Sequence, residues 1–160
     1  MNKYRVFLGL FLWGLNSCTS DALYREDQNT PNGWDLNQPL QFHLDYPLSN
    51  PTHLYLHLRN NQDYPFSNIF LVVNLKAKDS LILSDTLEYA MAQPNGEWLG
   101  TGFSSVKESK LWWKEQWSTA VDPPYTVEIA QANRTNGRAQ GEAVLPGIVS
   151  VGLSITSAEN

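Results

Sequence analysis

Residues 40–46 read LQFHLDY and residues 53–60 read HLYLHLRN. In the first, Leu40, Phe42, Leu44 and Tyr46 fall on one side and Gln41, His43 and Asp45 on the other. In the second, Leu54, Leu56 and Leu58 oppose His53, Tyr55 and His57. Successive side chains of a strand point to opposite faces, so this period of two predicts half-buried strands. Pro47 and Pro51 bracket a turn between them. If both apolar faces meet one core as a hairpin, Phe42 pairs with Leu56 and Leu44 with Leu54. His43 then faces Tyr55, and Asp45 faces His53, on the outer side.

The same grammar continues through the chain. NIFLVVNLKA (68–77) is a continuous apolar run, the pattern of a central strand covered on both faces. LILSDTLEYAMA (81–92), KLWWKEQW (110–117), YTVEIAQAN (125–133) and IVSVGLSI (148–155) are further strand candidates. Tyr125, Val127 and Ile129 are predicted to point inward, as are Val149, Val151, Leu153 and Ile155. Turn residues separate the runs: Pro94-Asn95-Gly96, Asp122-Pro123-Pro124 and Asn136-Gly137. Residues 129–138 have room for one helical turn. Pro-Asn-Gly occurs at 31 and again at 94, but nothing around it repeats. About eight short strands and no long amphipathic helix predict an all-β fold, a single antiparallel β-sandwich of jelly-roll or Ig-like type.

The N-terminus has a different character. Lys3 and Arg5 precede an apolar run from Val6 to Leu15, and Asn16-Ser17-Cys18 follows. A basic start, an apolar run of ten residues and a small residue at the junction read as a secretory signal. A bilayer span needs about 20 residues. Leu15-Asn16-Ser17-Cys18 resembles the bacterial lipobox, in which the cysteine becomes the lipidated first residue. The predicted organisation is a lipoprotein signal peptide over 1–17, a lipidated Cys18 with a flexible tether over 18–31, and the sandwich over 32–160. The polar stretch from Thr19 to Thr30 would give that tether an r.m.s. reach of roughly 20 Å.

Cys18 is the single cysteine, so the processed chain has no disulfide and no free thiol. Removing Lys3 and Arg5 from the 11 basic residues leaves 9 against 16 acidic ones, a formal charge of −7. That balance argues against nucleic acid as a partner.

Motifs for catalysis are missing: no Gly-x-Ser-x-Gly, no His-Glu-x-x-His, no phosphate-cradling glycine loop. No catalytic residue, cofactor or metal is expected. His53 and His57 share a face, but four residues of strand separate them by about 13 Å, too far to grip one ion. Two tripeptides, Asp79-Ser80-Leu81 and Asp85-Thr86-Leu87, resemble an acceptor motif for protein O-glycosylation.

The aromatic and polar residues are more informative. Trp112 and Trp113 are adjacent, so a strand must send them to opposite faces and one leaves the core. An exposed tryptophan is a strong partner anchor. RNNQDYPFSN (59–68) is the densest polar cluster. It reads either as a recognition loop or as a connection whose amides cap its own backbone. The candidate partner-binding residues are therefore Arg59, Asn60, Asn61, Asp63, Tyr64, Trp112 and Trp113.

Taken in order, PNGW (31–34), LRNNQDYPFSNIFLVVNL (58–75), DTLEYAMAQPNGEWLGTGFSSVKESKLWWKE (85–115) and YTVEIAQANR (125–134) behind a lipobox resemble the gliding-motility lipoprotein GldH family of the Bacteroidota. GEAVLPGIVSVGLSI (141–155) fits more loosely. The resemblance implies a lipid-anchored, non-enzymatic component of the gliding machinery that works alongside type IX secretion. Its partners would be other envelope proteins of those systems, and the membrane through the anchor. Thr19 follows the lipidated cysteine where aspartate would retain an enteric lipoprotein in the inner membrane. An outer-membrane site facing the periplasm is therefore the expectation. The alternative is a carbohydrate-binding sandwich holding glycan on exposed tryptophans, which needs two or three coplanar rings. A hydrolase with paired carboxylates in a cleft is a third, weaker reading.

Overall fold

A computed structural model describes residues 22–135 and 140–158. Ten strands follow one another in the described residues: β1 (Ala22–Asn29), β2 (Trp34–Asp35), β3 (Leu40–Leu44), β4 (Thr52–Asn60), β5 (Asn68–Ala77), β6 (Ser80–Ala90), β7 (Lys107–Trp117), β8 (Tyr125–Gln131), β9 (Val144–Leu145) and β10 (Ile148–Ser157). Two four-stranded antiparallel sheets, β1-β10-β4-β7 and β3-β8-β5-β6, stack on each other, and β2 pairs with β9 in a short third ribbon. This is the all-β sandwich that the alternation predicts.

The core is drawn from the inward positions. Leu54, Leu56 and Leu58 of β4 stand opposite Ile155, Leu153 and Val151 of β10. Phe42, Leu44, Val127, Ile129, Leu71, Val73 and Leu75 supply the facing layer, and all are buried. Tyr125, Val127 and Ile129 point inward as expected, and so do Val151, Leu153 and Ile155. Val149 is only half-buried, because the ladder shifts register between Ile148 and Ser150 and Ile148 is buried instead. Trp34 of β2 and Leu145 of β9 are buried in the same cluster and close one end of it. Burying such side chains contributes about 1.5–3 kcal/mol each.

Side chains seal both open sides of the sandwich. On one, Tyr89 Oη of β6 donates to Trp112 O of β7 at 2.5 Å. On the other, Gln28 Nε2 of β1 donates to Gln41 O of β3 at 2.7 Å, and the Tyr24 and Tyr46 rings lie 6.4 Å apart.

Four expectations need correction. β3 and β4 are not a hairpin. β3 pairs with β8, setting Phe42 against Val127 and His43 against Thr126, while β4 lies between β10 and β7 in the opposite sheet. Alternation fixes which side chains are inward; it does not choose a partner, and residues 45–51 cross from one sheet to the other.

The tether is the second. Ala22–Asn29 is an edge strand, paired with β10 from Ala22↔Thr156 to Asn29↔Ser150. Its charges sit on the exposed edge, where Arg25, Glu26 and Asp27 guard a strand that would otherwise offer free backbone groups. The folded domain thus begins ten residues earlier than expected. The predicted signal peptide, Cys18 and Thr19–Asp21 lie outside the described residues.

Third, β5 is central but covered on one face only. Ile69, Leu71, Val73 and Leu75 are buried, whereas Phe70, Val72, Asn74 and Lys76 are half-buried on the outer side. Fourth, β8 continues as strand to Gln131 where a helical turn had room, and residues 132–135 are irregular. The Asn136-Gly137 turn falls outside the described residues.

The registers put the start of β1 at the same end as the ends of β10, β7, β5 and β3 and the starts of β4, β6 and β8. Only short connections occupy that end: 45–51, 78–79 and 118–124. The other end holds 30–39, 61–67, the turn between β9 and β10, and 91–106, which is the longest connection between strands.

Candidate interaction surface

The outer face of the β1-β10-β4-β7 sheet carries a row of interlocked side chains. It begins at Gly152 in β10. A Cβ there would fall on Asp27 Oδ1, so the bare glycine lets the Asp27 carboxylate lie across the strand. Asp27 accepts from Arg25 Nε at 3.0 Å. The Arg25 guanidinium extends over β4 and reaches Glu108 Oε1 of β7 at 3.1 Å. Beneath it sits His57, 2% exposed although it is on the solvent side of the sheet. His57 Nε2 is 2.7 Å from Ser154 Oγ, and Nδ1 is 3.4 Å from Glu108 Oε1. Burial, then the Arg25 charge, hold the imidazole pKa below its ordinary value against the opposing pull of Glu108 and Asp27.

Further along the same face the chemistry turns aromatic. The Trp112 ring lies 4.4 Å from Tyr55 and 5.2 Å from His53, and Lys110 Nζ sits 3.8 Å over the Tyr55 ring. Trp112 is 51% exposed, while Tyr55 is buried beneath its neighbours. The ring planes are tilted by 49° for Trp112 and Tyr55 and by 86° for Trp112 and His53.

The polar connection after β4 has its own construction. Asn61 Oδ1 accepts from Asp63 N at 2.9 Å and Asn61 Nδ2 donates to Asp63 Oδ2 at 3.1 Å, a local turn that caps itself. Asn61 N donates to Gly147 O at 2.8 Å. Gly147 has φ 75°, and a Cβ on it would fall on Tyr64 N. Tyr64 Oη donates to Asn68 O at 2.7 Å and accepts from Asn133 Nδ2 at 3.3 Å. The fully buried Asn133 also accepts from Phe70 N at 2.8 Å through Oδ1. Burial pushes the Tyr64 phenol well above its usual range.

A model of the GldH lipoprotein family matches residues 22–155. The chain belongs to that family. Among its relatives, a protein of Christiangramia forsetii named gliding motility lipoprotein GldH homolog is 41% identical over 161 aligned positions, covering 99% of each chain. The gliding motility lipoprotein GldH of Flavobacterium johnsoniae is 37% identical over 144 positions, 88% of each. No solved structure matches.

The structure separates the residues that the sequence of this GldH-family chain singled out. Trp112 is exposed and Trp113 is buried, as adjacency on a strand requires. Trp113 Nε1 donates to Asp85 Oδ2 at 2.9 Å. Arg59 points out from β4, 4.0 Å from Glu108 Oε2. Asn61 and Asp63 are at the long-loop end. Asn60 and Tyr64 are buried with Trp113, so these three shape the domain from within and do not form its surface. Arg25, His57, Glu108 and Lys110 join Arg59 and Trp112 on the sheet face, although none was a candidate. His53, Tyr55 and His57 were already legible as outward residues; Arg25 was hidden in the supposed tether. Among the described residues no group of three metal-ligating side chains converges.

Proposed function

We propose that this protein is a lipid-anchored, non-enzymatic component of the gliding-motility machinery, linked to type IX secretion, that acts by binding other envelope proteins. Cys18 would carry the lipid and hold the domain at the outer membrane, facing the periplasm. Family membership and the relatives' names support the motility role. The observation that carries the binding mechanism is Trp112. It is a large aromatic ring left half in solvent on a sheet face whose other side chains are tied down. An exposed ring on a preformed base is the usual composition of an interface hot spot. Arg59, Lys110 and Glu108 around it offer charge for specificity. Asn61 and Asp63 are secondary candidates at the long-loop end.

The carbohydrate-binding alternative needs coplanar exposed rings. On this sheet face one ring is exposed and its neighbours are tilted against it. That geometry favours a protein partner.

The test is crosslinking and affinity isolation of the tagged protein from its own membranes, with Cys18→Ala and Trp112→Ala in parallel. The expected result is enrichment of gliding and type IX secretion proteins that Trp112→Ala abolishes, with Cys18→Ala released from the membrane. Enrichment of polysaccharide-utilisation proteins, or unchanged capture by Trp112→Ala, would remove the support for this reading.

A further inference from the structure

The early start of β1 has a geometric consequence. Strand pairing begins at Ala22, with Thr156 as its partner. Only four peptide units separate Cys18 from Ala22, and four fully extended residues span at most about 14 Å. If Cys18 carries a lipid, that short link cannot let the domain rotate freely above the surface. The end of the sandwich where β1 starts stays at the bilayer. β1 runs eight residues to Asn29, so the opposite end lies roughly 25 Å farther out.

The near end has apolar groups to offer a membrane. The near end carries only short connections, and three exposed apolar side chains sit there: Leu23 in β1, Leu81 at the start of β6, and Val121 in the β7–β8 connection. That connection is tied to its neighbours: Lys78 N donates to Pro124 O at 3.3 Å and Thr119 N to Leu48 O at 2.8 Å. Tyr125 Oη also donates to Val121 O. The far end carries the longest connection, 91–106, and exposed apolar side chains of its own, Leu99, Phe103 and Val144, so it is the short link to Cys18 that selects the near end.

We propose that the short-loop end is a membrane-contact surface, with Leu23, Leu81 and Val121 as its lipid contacts. The proposal rests on the reading of Cys18 as the anchor. The occupant is a lipid surface, because β1 starts at this end and the link from Cys18 to Ala22 is too short to place the anchor elsewhere. The charges set the depth. Asp45, Asp79 and Asp122 are exposed at the same end, and Lys78 is the exposed cation beside them. Carrying carboxylates into hydrocarbon is costly. Contact is therefore shallow, at the level of the head groups, and is best on zwitterionic lipid. The consequence for the protein is a fixed bearing: Phe103, Asn61 and Asp63 face away from the anchoring membrane, and the Trp112 face stands roughly upright to it.

The experiment uses the full lipidated protein isolated from its own membranes and reconstituted in phosphatidylcholine vesicles. Leu81→Cys, Val121→Cys and Phe103→Cys each introduce one labelling site, since a lipidated Cys18 has no free thiol. Each is labelled with a fluorophore and quenched by a lipid carrying a nitroxide on its head group. All three positions are exposed, and thermal unfolding of each variant verifies the fold. The expected result is several-fold stronger quenching at 81 and 121 than at 103, and weaker quenching when the nitroxide is moved deep into the acyl chain. Equal or reversed quenching in protein that floats with the vesicles overturns the orientation alone. Protein that does not float overturns the anchor reading as well.

Discussion

Trp113 Nε1 of β7 donates to Asp85 Oδ2 of β6 across 2.9 Å, between strands of opposite sheets. Lys114 Nζ reaches the same oxygen at 3.0 Å. No backbone ladder joins β6 to β7, so this carboxylate is a principal polar clasp on that side of the sandwich. It also explains how Asp85 is used. The tripeptide Asp85-Thr86-Leu87 keeps its threonine exposed while its aspartate is committed to Trp113.

Asp85→Ala would leave a buried indole N–H without an acceptor. A loss of about 1–3 kcal/mol is expected. Asp85→Asn keeps an acceptor oxygen and should lose less. Urea unfolding midpoints of the two variants against the parent check this, and equal losses would show that the carboxylate charge, through Lys114, matters more than the acceptor.

Gly152→Ala tests the polar row on the sheet face. The new methyl group meets Asp27 Oδ1 and the backbone oxygen of Glu26. Asp27 must swing away, and Arg25 loses one of its two carboxylate partners. A destabilisation of about 1–3 kcal/mol, the range for overpacking, is expected. Asp27→Ala combined with Gly152→Ala should cost less than the sum of the single changes, because the double variant removes the clash. Additive losses would mean that the strain lies in the β1–β10 backbone.

His57 gives a pH dependence with a definite sign. Its folded-state pKa lies below the ordinary 6.5, so the unfolded chain binds the proton first. Stability from this group is complete above pH of about 6.5 and is lost as pH falls through the folded value. Asp27 and Arg25 from β1, Ser154 from β10 and Glu108 from β7 are the groups that face it. Arg25→Gln removes a cation and part of the cover, so the His57 pKa should rise towards normal. An NMR titration of the imidazole reads this directly; an unchanged pKa would assign the shift to burial by the other strands.

Much of this fold was legible because period two is a local property. Leu54, Leu56 and Leu58 announce an inward face whatever pairs with them. Partner choice is not local: Phe42 meets Val127 from far along the chain, and nothing in LQFHLDY says so. β1 was missed for a related reason. The residues it pairs with Ile155, Leu153 and Val151 are Tyr24, Glu26 and Gln28, a set with one aromatic member and an exposed glutamate, because an edge strand at the rim buries little. The candidate surface was half legible. Trp112 and Arg59 could be read from strand alternation, but Tyr64 could not. Its neighbours are the most polar in the chain, and only the Gly147 approach and the Asn133 amide explain why it is buried.

The tryptophan pair offers the cleanest separation of stability from binding. Trp113 is buried in the core cluster, so Trp113→Ala should cost about 3–5 kcal/mol, as for other large aromatic truncations. Trp112→Ala removes a half-exposed ring, and the effect should stay within about 1 kcal/mol. In cells the two variants should then fail differently. Trp113→Ala lowers the amount of folded protein, and motility falls in proportion to that amount. If Trp112 is the partner anchor proposed above, Trp112→Ala should leave the amount unchanged and still lose motility. Measuring abundance, unfolding midpoint and spreading-colony motility together distinguishes them. If Trp112→Ala cells keep normal abundance and glide normally, the exposed ring is not the partner anchor, and the search moves to Asn61 and Asp63 at the long-loop end.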